Sequence, residues 1–191
     1  GKDITNWWPK QLREEGIGMI PEDRFAQGLC GTMSIGDNCI AGYHGRQDVC
    51  KKGILNRKKI NEKRDKEVRE FDIRVGDIDG NVAALSGGNA QKIIVARELD
   101  AEPKLLIACQ PTRGIDIGSV EFIHKQLLKY RNEGHAVILI SSELSEIMSL
   151  SDRVIVMYKG EISGEIDPKS VDMMRVGLLM AGIQQGQEVQ G

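Results

Sequence analysis

The sequence contains no long apolar stretch. Its longest uninterrupted aliphatic runs, Leu105 to Cys109 and Ala136 to Ile140, fall far short of the roughly 20 residues that span a bilayer, so no membrane crossing is expected. No charge of one sign dominates, since 26 Lys and Arg against 28 Asp and Glu give a formal net charge of −2. The four cysteines, Cys30, Cys39, Cys50 and Cys109, form no C-x-x-C pair, and His44, His124 and His135 are scattered. That spacing argues against a zinc site and against a disulfide scaffold. Reduced, mostly buried thiols of a cytoplasmic protein are expected instead. No secretory leader opens the chain and residue 1 is Gly, so the sequence reads as a piece of something longer. No internal repeat is visible. What is present is an ordinary globular composition, 191 residues with 40% hydrophobic, enough for one domain or slightly more with a core of its own.

Hydrophobic periodicity places the elements. Gly16 to Pro21 predicts a short buried strand ending in the polar loop Glu22-Asp23-Arg24. Leu29 to Asn56 reads as loops and one short helix, Arg57 to Phe71 as a largely solvated helix, and Asp77 to Ala84 as a linker. A helix capped by Ser86 then carries Ala90, Ile93 and Ile94 on one face. Leu105 to Cys109 and Ala136 to Ser141 read as buried strands around a helix over Gly118 to Asn132, and that order implies a parallel sheet. A helix over Glu143 to Leu150, a hairpin joined at Lys159-Gly160, a Met-rich core helix from Pro168 to about Gly182 and a Gln-rich tail complete the chain.

The chemistry concentrates at Leu85-Ser86-Gly87-Gly88-Asn89. A hydroxyl and several unpaired backbone N–H groups meet there at the positive end of a helix dipole, an arrangement that binds phosphate. A Cβ at Gly87 or Gly88 is expected to keep the backbone from closing on the anion. The same five residues also read as a capped helix after a glycine turn, and alone they do not choose between the two.

A second segment changes the balance. The strand Leu105 to Cys109 runs straight into Gln110-Pro111-Thr112-Arg113-Gly114-Ile115-Asp116, and the next strand ends at Ser141-Ser142-Glu143. In order and spacing, these segments resemble the signature motif, Walker B strand, D-loop and switch region of ABC transporter ATPases. From residue 1 to about residue 182, the chain is similar to the second nucleotide-binding half of the fused ATPase subunits that serve bacterial importers of simple sugars and nucleosides. Ile20 to Arg24 looks like that family's Q-loop region, Leu85 to Gln91 like its LSGGNxQ signature, and Gly177 to Gly182 like its closing segment. Cys109 to Gly114 and Glu121 to His124 tilt the likeness toward the nucleoside branch.

The resemblance implies an α/β, partial P-loop NTPase-like ABC ATPase fold with an inserted helical subdomain. Its expected organisation is core over 1–30, helical subdomain over 31–100, core over 101–182 and a flexible tail over 183–191. It implies ATP and Mg²⁺ as cofactors, with ATP shared with a partner nucleotide-binding half. Leu85, Ser86, Gly87, Gly88, Asn89, Gln91, Glu22 and Asp116 are the implied nucleotide-site residues. The implied partners are that other half, membrane permease subunits and, indirectly, a substrate-binding lipoprotein, at the cytoplasmic face of the membrane.

The departures from the family pattern bear on mechanism. No G-x-x-x-x-G-K-[ST] occurs, so the chain has no phosphate cradle of its own. Cys109 stands where an Asp usually organises Mg²⁺, Gln110 where a Glu polarises the attacking water, and Ser142 where the switch His is usual. A thiol is a poor ligand for a hard cation and a neutral amide cannot take a proton, so no metal ligand and no intact catalytic residue are expected. Losing the general base alone costs roughly 10² to 10⁴ in rate. The rival reading from another class is an ABC-type clamp on nucleic acid. The basic residues between Lys51 and Lys66 offer it some charge, but interleaved Glu62, Asp65 and Glu67 favour a solvated helix face, and salt-dependent DNA binding would be its mark.

Overall fold

The computed structural model describes residues 1–183. Packing divides the chain into two units, Gly1–Ile140 and Ser141–Gly191. In the first unit α1 (Pro9–Glu14) leads into β1 (Ile17–Ile20), and a single π-helical turn (Arg24–Gly28) follows. Next come α2 (Ile35–Cys39), the small hairpin β2 (Cys50–Lys51) and β3 (Ile54–Leu55), and α3 (Arg57–Glu70). Then α4 (Gly87–Asp100), β4 (Leu105–Cys109), α5 (Ile117–Asn132) and β5 (Ala136–Ile140) close the unit. The strands form a parallel sheet in the order β1-β4-β5, with Met19 opposite Ile107 and Ile107 opposite Ile138. The expected parallel crossover is therefore present, with α5 as its helix.

One face of this sheet is covered. Ile20, Leu106 and Ala108 are buried in a cluster with Ile93 and Ile94 of α4 and Ile123 of α5. The opposite face is open: Met19, Ile138 and Ile140 are each 46–50% exposed. The fully buried strand expected over 136–141 is thus half-buried, because its run of aliphatics serves two faces with unequal cover. Between Ala90 and Leu99, in contrast, every residue of α4 is buried, including Gln91, Lys92, Arg97 and Glu98. Polar groups held so deeply require partners. Lys92 Nζ finds the Asp72 carbonyl at 2.9 Å and lies over the Phe122 ring.

Between β1 and α4 the segment read as loops holds more order than its composition suggests. Ser34 caps α2, and Asn38, fully buried, donates to the carbonyls of Cys30 and Ser34 at 3.1 and 3.0 Å. Asn56 caps α3. On α3 several basic residues form ion pairs, among them Lys59 with Glu62 at 2.8 Å and Lys66 with Asp100 at 3.2 Å. Glu67 on the same helix is 1% exposed, with Lys63 Nζ at 3.4 Å and the buried Cys39 thiol beside it. Burial pushes its carboxyl up to about 7.

The thiols divide: Cys39 is buried, Cys50 and Cys109 are half-buried, and Cys30 is exposed, so burial is less general than expected. Trp8, the residue before α1, is 76% exposed.

The second unit, described over 141–183, contains α6 (Leu144–Leu150), the antiparallel hairpin β6 (Val154–Tyr158) and β7 (Glu161–Ile166), and α7 (Met173–Met180). Lys159 and Gly160 both have positive φ, 48° and 85°, the backbone of a two-residue hairpin turn. The last helix begins later than Pro168, because Asp167 holds a turn through the Lys169 amide at 2.9 Å and Asp172 caps α7. Its core residues are Val176 and Leu179. Met173, Met174 and Met180 are 54%, 74% and 54% exposed, contrary to the expected Met-rich core face. The tail over 183–191 lies, beyond Ile183, outside the described residues.

Candidate functional site

The site grows from the start of α4. Ser86 is exposed in extended backbone, with φ −63° and ψ 157°, and its hydroxyl accepts from the Asn89 amide. The Asn89 side chain donates to the same oxygen at 3.0 Å and accepts from the Arg74 amide at 2.9 Å. Asn89 therefore braces the cap instead of facing outward. The first amides of the helix, those of Gly87 and Gly88, have no intrahelical acceptor by geometry. They stand beside the Ser86 hydroxyl at the positive end of a helix of 14 residues.

The two glycines are needed for a reason the sequence did not suggest. A Cβ on Gly88 would lie 2.3 Å from Ser119 Oγ and 2.5 Å from Asp116 Oδ2, and one on Gly87 would lie 2.7 Å from Arg24 Nη1. Packing against Ser119 and Asp116 already leaves a side chain no room at Gly88, before any anion is considered, whereas at Gly87 the end of the flexible Arg24 side chain has only to shift. Asp116 caps α5, accepting from the Ser119 amide at 3.0 Å and the Ser119 hydroxyl at 2.8 Å, and these bonds hold its carboxyl below the usual range. Arg24 reaches the carbonyls of Arg113 and Gly114. Partial burial lowers the pKa of its guanidinium without discharging it, so a cation lies beside Gly87. Arg113 in turn pairs with Glu22 on the exposed surface, a kind of pair that exchanges readily.

The structure thus gathers Ser86, Gly87, Gly88, Asp116 and, through Arg113, Glu22 around the loop 110–116. Leu85 packs against the core and Gln91 is 2% exposed inside α4, so both support the site from within. Arg24, Arg113 and Ser119 were not among the residues singled out from the sequence. The available signals were slight: Arg24 is the lone cation between Pro21 and Gly28, and Ser119 stands three residues after Asp116, in a helix-capping pattern.

At the exit of β4, Gln110 has φ 48°, uncommon for a residue with a side chain, and its amide donates to the Ile140 carbonyl at 2.7 Å. The chain leaves the sheet there in a turn that the strand pairing holds in place. Burial and the charge of Glu22 both raise the Cys109 thiol, keeping it protonated near neutrality. Ser142 lies exposed just after β5, in the second unit. Among the described residues, no group of three or more His, Cys, Asp and Glu side chains is placed to hold a metal ion. The donors at α4 fit a phosphate, whereas Cys109 and Gln110 do not fit a divalent cation that seeks anionic oxygens.

No family model matches the chain. It is 43% identical over 185 residues to the guanosine import ATP-binding protein NupO of Bacillus subtilis, covering 97% of this chain and 36% of that protein. It is 42% identical over 181 residues to the nucleoside import ATP-binding protein NupA of Lactococcus lactis, covering 95% and 36%. The glucose import ATP-binding protein TsgD13 of Haloferax volcanii is 41% identical, with 95% and 34% covered. The chain thus spans about a third of the length of the curated relatives it matches. Among solved structures, a post-hydrolysis dimer of an ATP-binding cassette bound to ADP and Pi superposes with a TM-score of 0.69 at 20% identity, covering 85% of this chain and 66% of that one. A nucleotide-free cassette gives 0.69 at 23%, covering 94% and 70%. The chain is a homologue of the nucleoside and sugar import ATP-binding proteins, and its fold is that of an ABC ATPase cassette.

Proposed function

We propose that this chain is part of the ATP-binding component of an ABC importer for nucleosides or simple sugars. In this reading it is a degenerate half-site that donates its signature to ATP held by a partner nucleotide-binding half. One observation carries the reading: the Ser86 hydroxyl is exposed beside the first amides of α4, next to Gly88, which has no room for a side chain, while the exit of β4 carries Cys109 and Gln110 in place of carboxylates. Hydrogen-bond donors suffice to hold a phosphate. Hydrolysis additionally needs a base and an ordered cation.

Within such a site the chain's residues have separate tasks. Ser86 Oγ and the Gly87 and Gly88 amides bind and orient the terminal phosphate presented by the partner. Asp116, locked by Ser119, sets the spacing across the interface, and Arg24 keeps the local potential positive. Glu22, in an exposed and exchangeable ion pair, senses nucleotide or permease. The insert over 31–100 carries closure to the permease at the cytoplasmic membrane face. Among the described residues no helix is long and apolar enough to cross a membrane. Bound Mg²⁺ would neutralise phosphate charge from the partner's side of the sandwich. The nucleoside branch is favoured by the likeness at Cys109 to Gly114 and by the two nucleoside-importer relatives.

The test is Mg-ATP hydrolysis by this chain, by the partner half, and by the two mixed, with Ser86→Arg as control. Activity that arises in the mixture and disappears with Ser86→Arg is expected. Hydrolysis by this chain unaided, or a silent mixture of two folded pieces, would overturn the reading.

A further inference from the structure

The far end of α4 holds a charged group that phosphate binding does not use. Glu98 has no exposed surface. Its Oε2 accepts from the Tyr43 hydroxyl at 2.6 Å and from the Met19 amide at 3.4 Å. Its Oε1 accepts from Arg97 Nε at 3.1 Å, with Arg13 Nη2 at 4.0 Å. Arg97, itself 4% exposed, donates from Nη1 to the carbonyls of Gly28 at 2.9 Å and Asn38 at 3.3 Å. The Arg13 guanidinium sits over the Tyr43 ring, 5.2 Å from its centre. Four pieces of chain therefore converge on the Glu98–Arg97 pair: α1 through Arg13 and β1 through Met19 on Glu98, the end of the turn Arg24–Gly28 on Arg97, and the 38–43 stretch on both.

A buried ion pair is a poor way to gain stability, because desolvation offsets most of the attraction and a well-packed apolar pair does as well or better. What such a pair supplies is direction, since each bond fixes an angle that apolar packing leaves loose. The angle fixed here is that of α4 relative to β1 and the insert, and α4 begins at Ser86. We propose that Glu98, together with Tyr43 and Arg97, is the positioning group of the signature helix, setting where Ser86 is presented and passing displacements of the 22–28 turn and of the insert along α4. The inference rests on the reading of Ser86 as a phosphate ligand.

The test uses the full-length subunit in its assembled transporter, with Tyr43→Phe, Glu98→Gln and the double variant. Tyr43→Phe removes one hydroxyl and keeps the ring, so it remains informative if Glu98→Gln does not fold. Each variant is expected to lower kcat for ATP about tenfold while KM stays within about twofold, because the partner's motifs hold the nucleotide. The double variant should lose no more than the worse single one, as members of one network do. Hydrogen exchange at the amides of Asn89 and Ala90, both bonded to Ser86, should quicken, with β4 and β5 unchanged. A fall in melting temperature with unchanged kcat and unchanged exchange at those amides would reduce the cluster to a structural role and overturn the proposal. Leu99→Ala, next to Glu98 but outside its bonds, serves as the control for destabilisation alone. If Ser86→Arg leaves activity intact, it is the signature reading that fails, and the exchange experiment still decides whether Glu98 positions α4.

Discussion

The start of α4 and the exit of β4 flank the same loop, 110–116, yet they have fared differently. At α4 the site consists of backbone amides, one hydroxyl and two glycines, each enforced by neighbours: Asn89 on Ser86, Ser119 and Asp116 on Gly88, Arg24 on Gly87. At β4 the strand geometry is intact, down to the Gln110 amide on Ile140, but the side chains are a protonated thiol and an amide. Donors are supplied by the fold itself and survive as long as the fold does. Acceptors and bases are supplied by side chains, and one substitution removes each. On the proposed reading, holding a phosphate and breaking its bond are separable properties of neighbouring residues.

The sharpest way to break this contrast is to exchange the damage. Ser86→Arg should abolish hydrolysis by the mixed halves, on the order of 100-fold or more, whereas Gln110→Ala should cost less than about tenfold, as read from steady-state phosphate release. Equal losses would mean that the exit of β4 still participates in the chemistry. Gly88→Ala asks whether packing or the anion demands the glycine. With Ser119 Oγ 2.3 Å from the added carbon, urea unfolding without nucleotide should show a loss of about 1–3 kcal/mol, and Ser119→Ala in the same chain should recover part of it.

Stability of the region where α3 packs on α4 should depend on pH through Glu67. Its folded pKa of about 7 lies above the ordinary 4.5, so the protonated carboxyl contributes in full below about pH 4.5 and that contribution fades as pH rises through 7. Glu67→Gln should remove this slope. The difference between variant and parent should widen by about 2 kcal/mol from pH 5 to pH 8. Lys63 keeps Asp100 as its partner in the variant. The smallest effect concerns rates of alkylation near pH 8. Cys30 should react first, Cys109 more slowly because burial and Glu22 hold its thiol protonated, and Cys39 only on unfolding. Rapid modification of Cys109 would mean a thiolate at the exit of β4.

What could be read from the sequence was local and periodic. β1, β4 and β5, the Lys159-Gly160 hairpin and the Ser86 cap all declare themselves within a few residues. The π-helical turn at Arg24 to Gly28 does not, because Arg97 holds its last carbonyl from across the chain. The order within 29–56 depends on Asn38, a polar residue that gains meaning only once buried. Asp116 stands out in the sequence by its resemblance to a D-loop position, and its bonds to Ser119 make it a helix cap. The methionines of α7 were misjudged because hydrophobicity shows that a residue can be buried, while neighbours decide whether it is. The Glu98 cluster spans 55 positions to Tyr43 and 79 to Met19, beyond the reach of any local pattern.

The length of α4 gives its buried end a mechanical advantage. From Glu98 to Ser86 the helix runs about 18 Å at 1.5 Å per residue. A tilt of about 10° pivoting near Glu98 would sweep Ser86 through about 3 Å, several times the roughly 1 Å of lengthening that breaks a hydrogen bond. The helix is thus a lever with its fulcrum in the interior, and a small movement of Tyr43 or of the Gly28 carbonyl is magnified where the phosphate would be gripped.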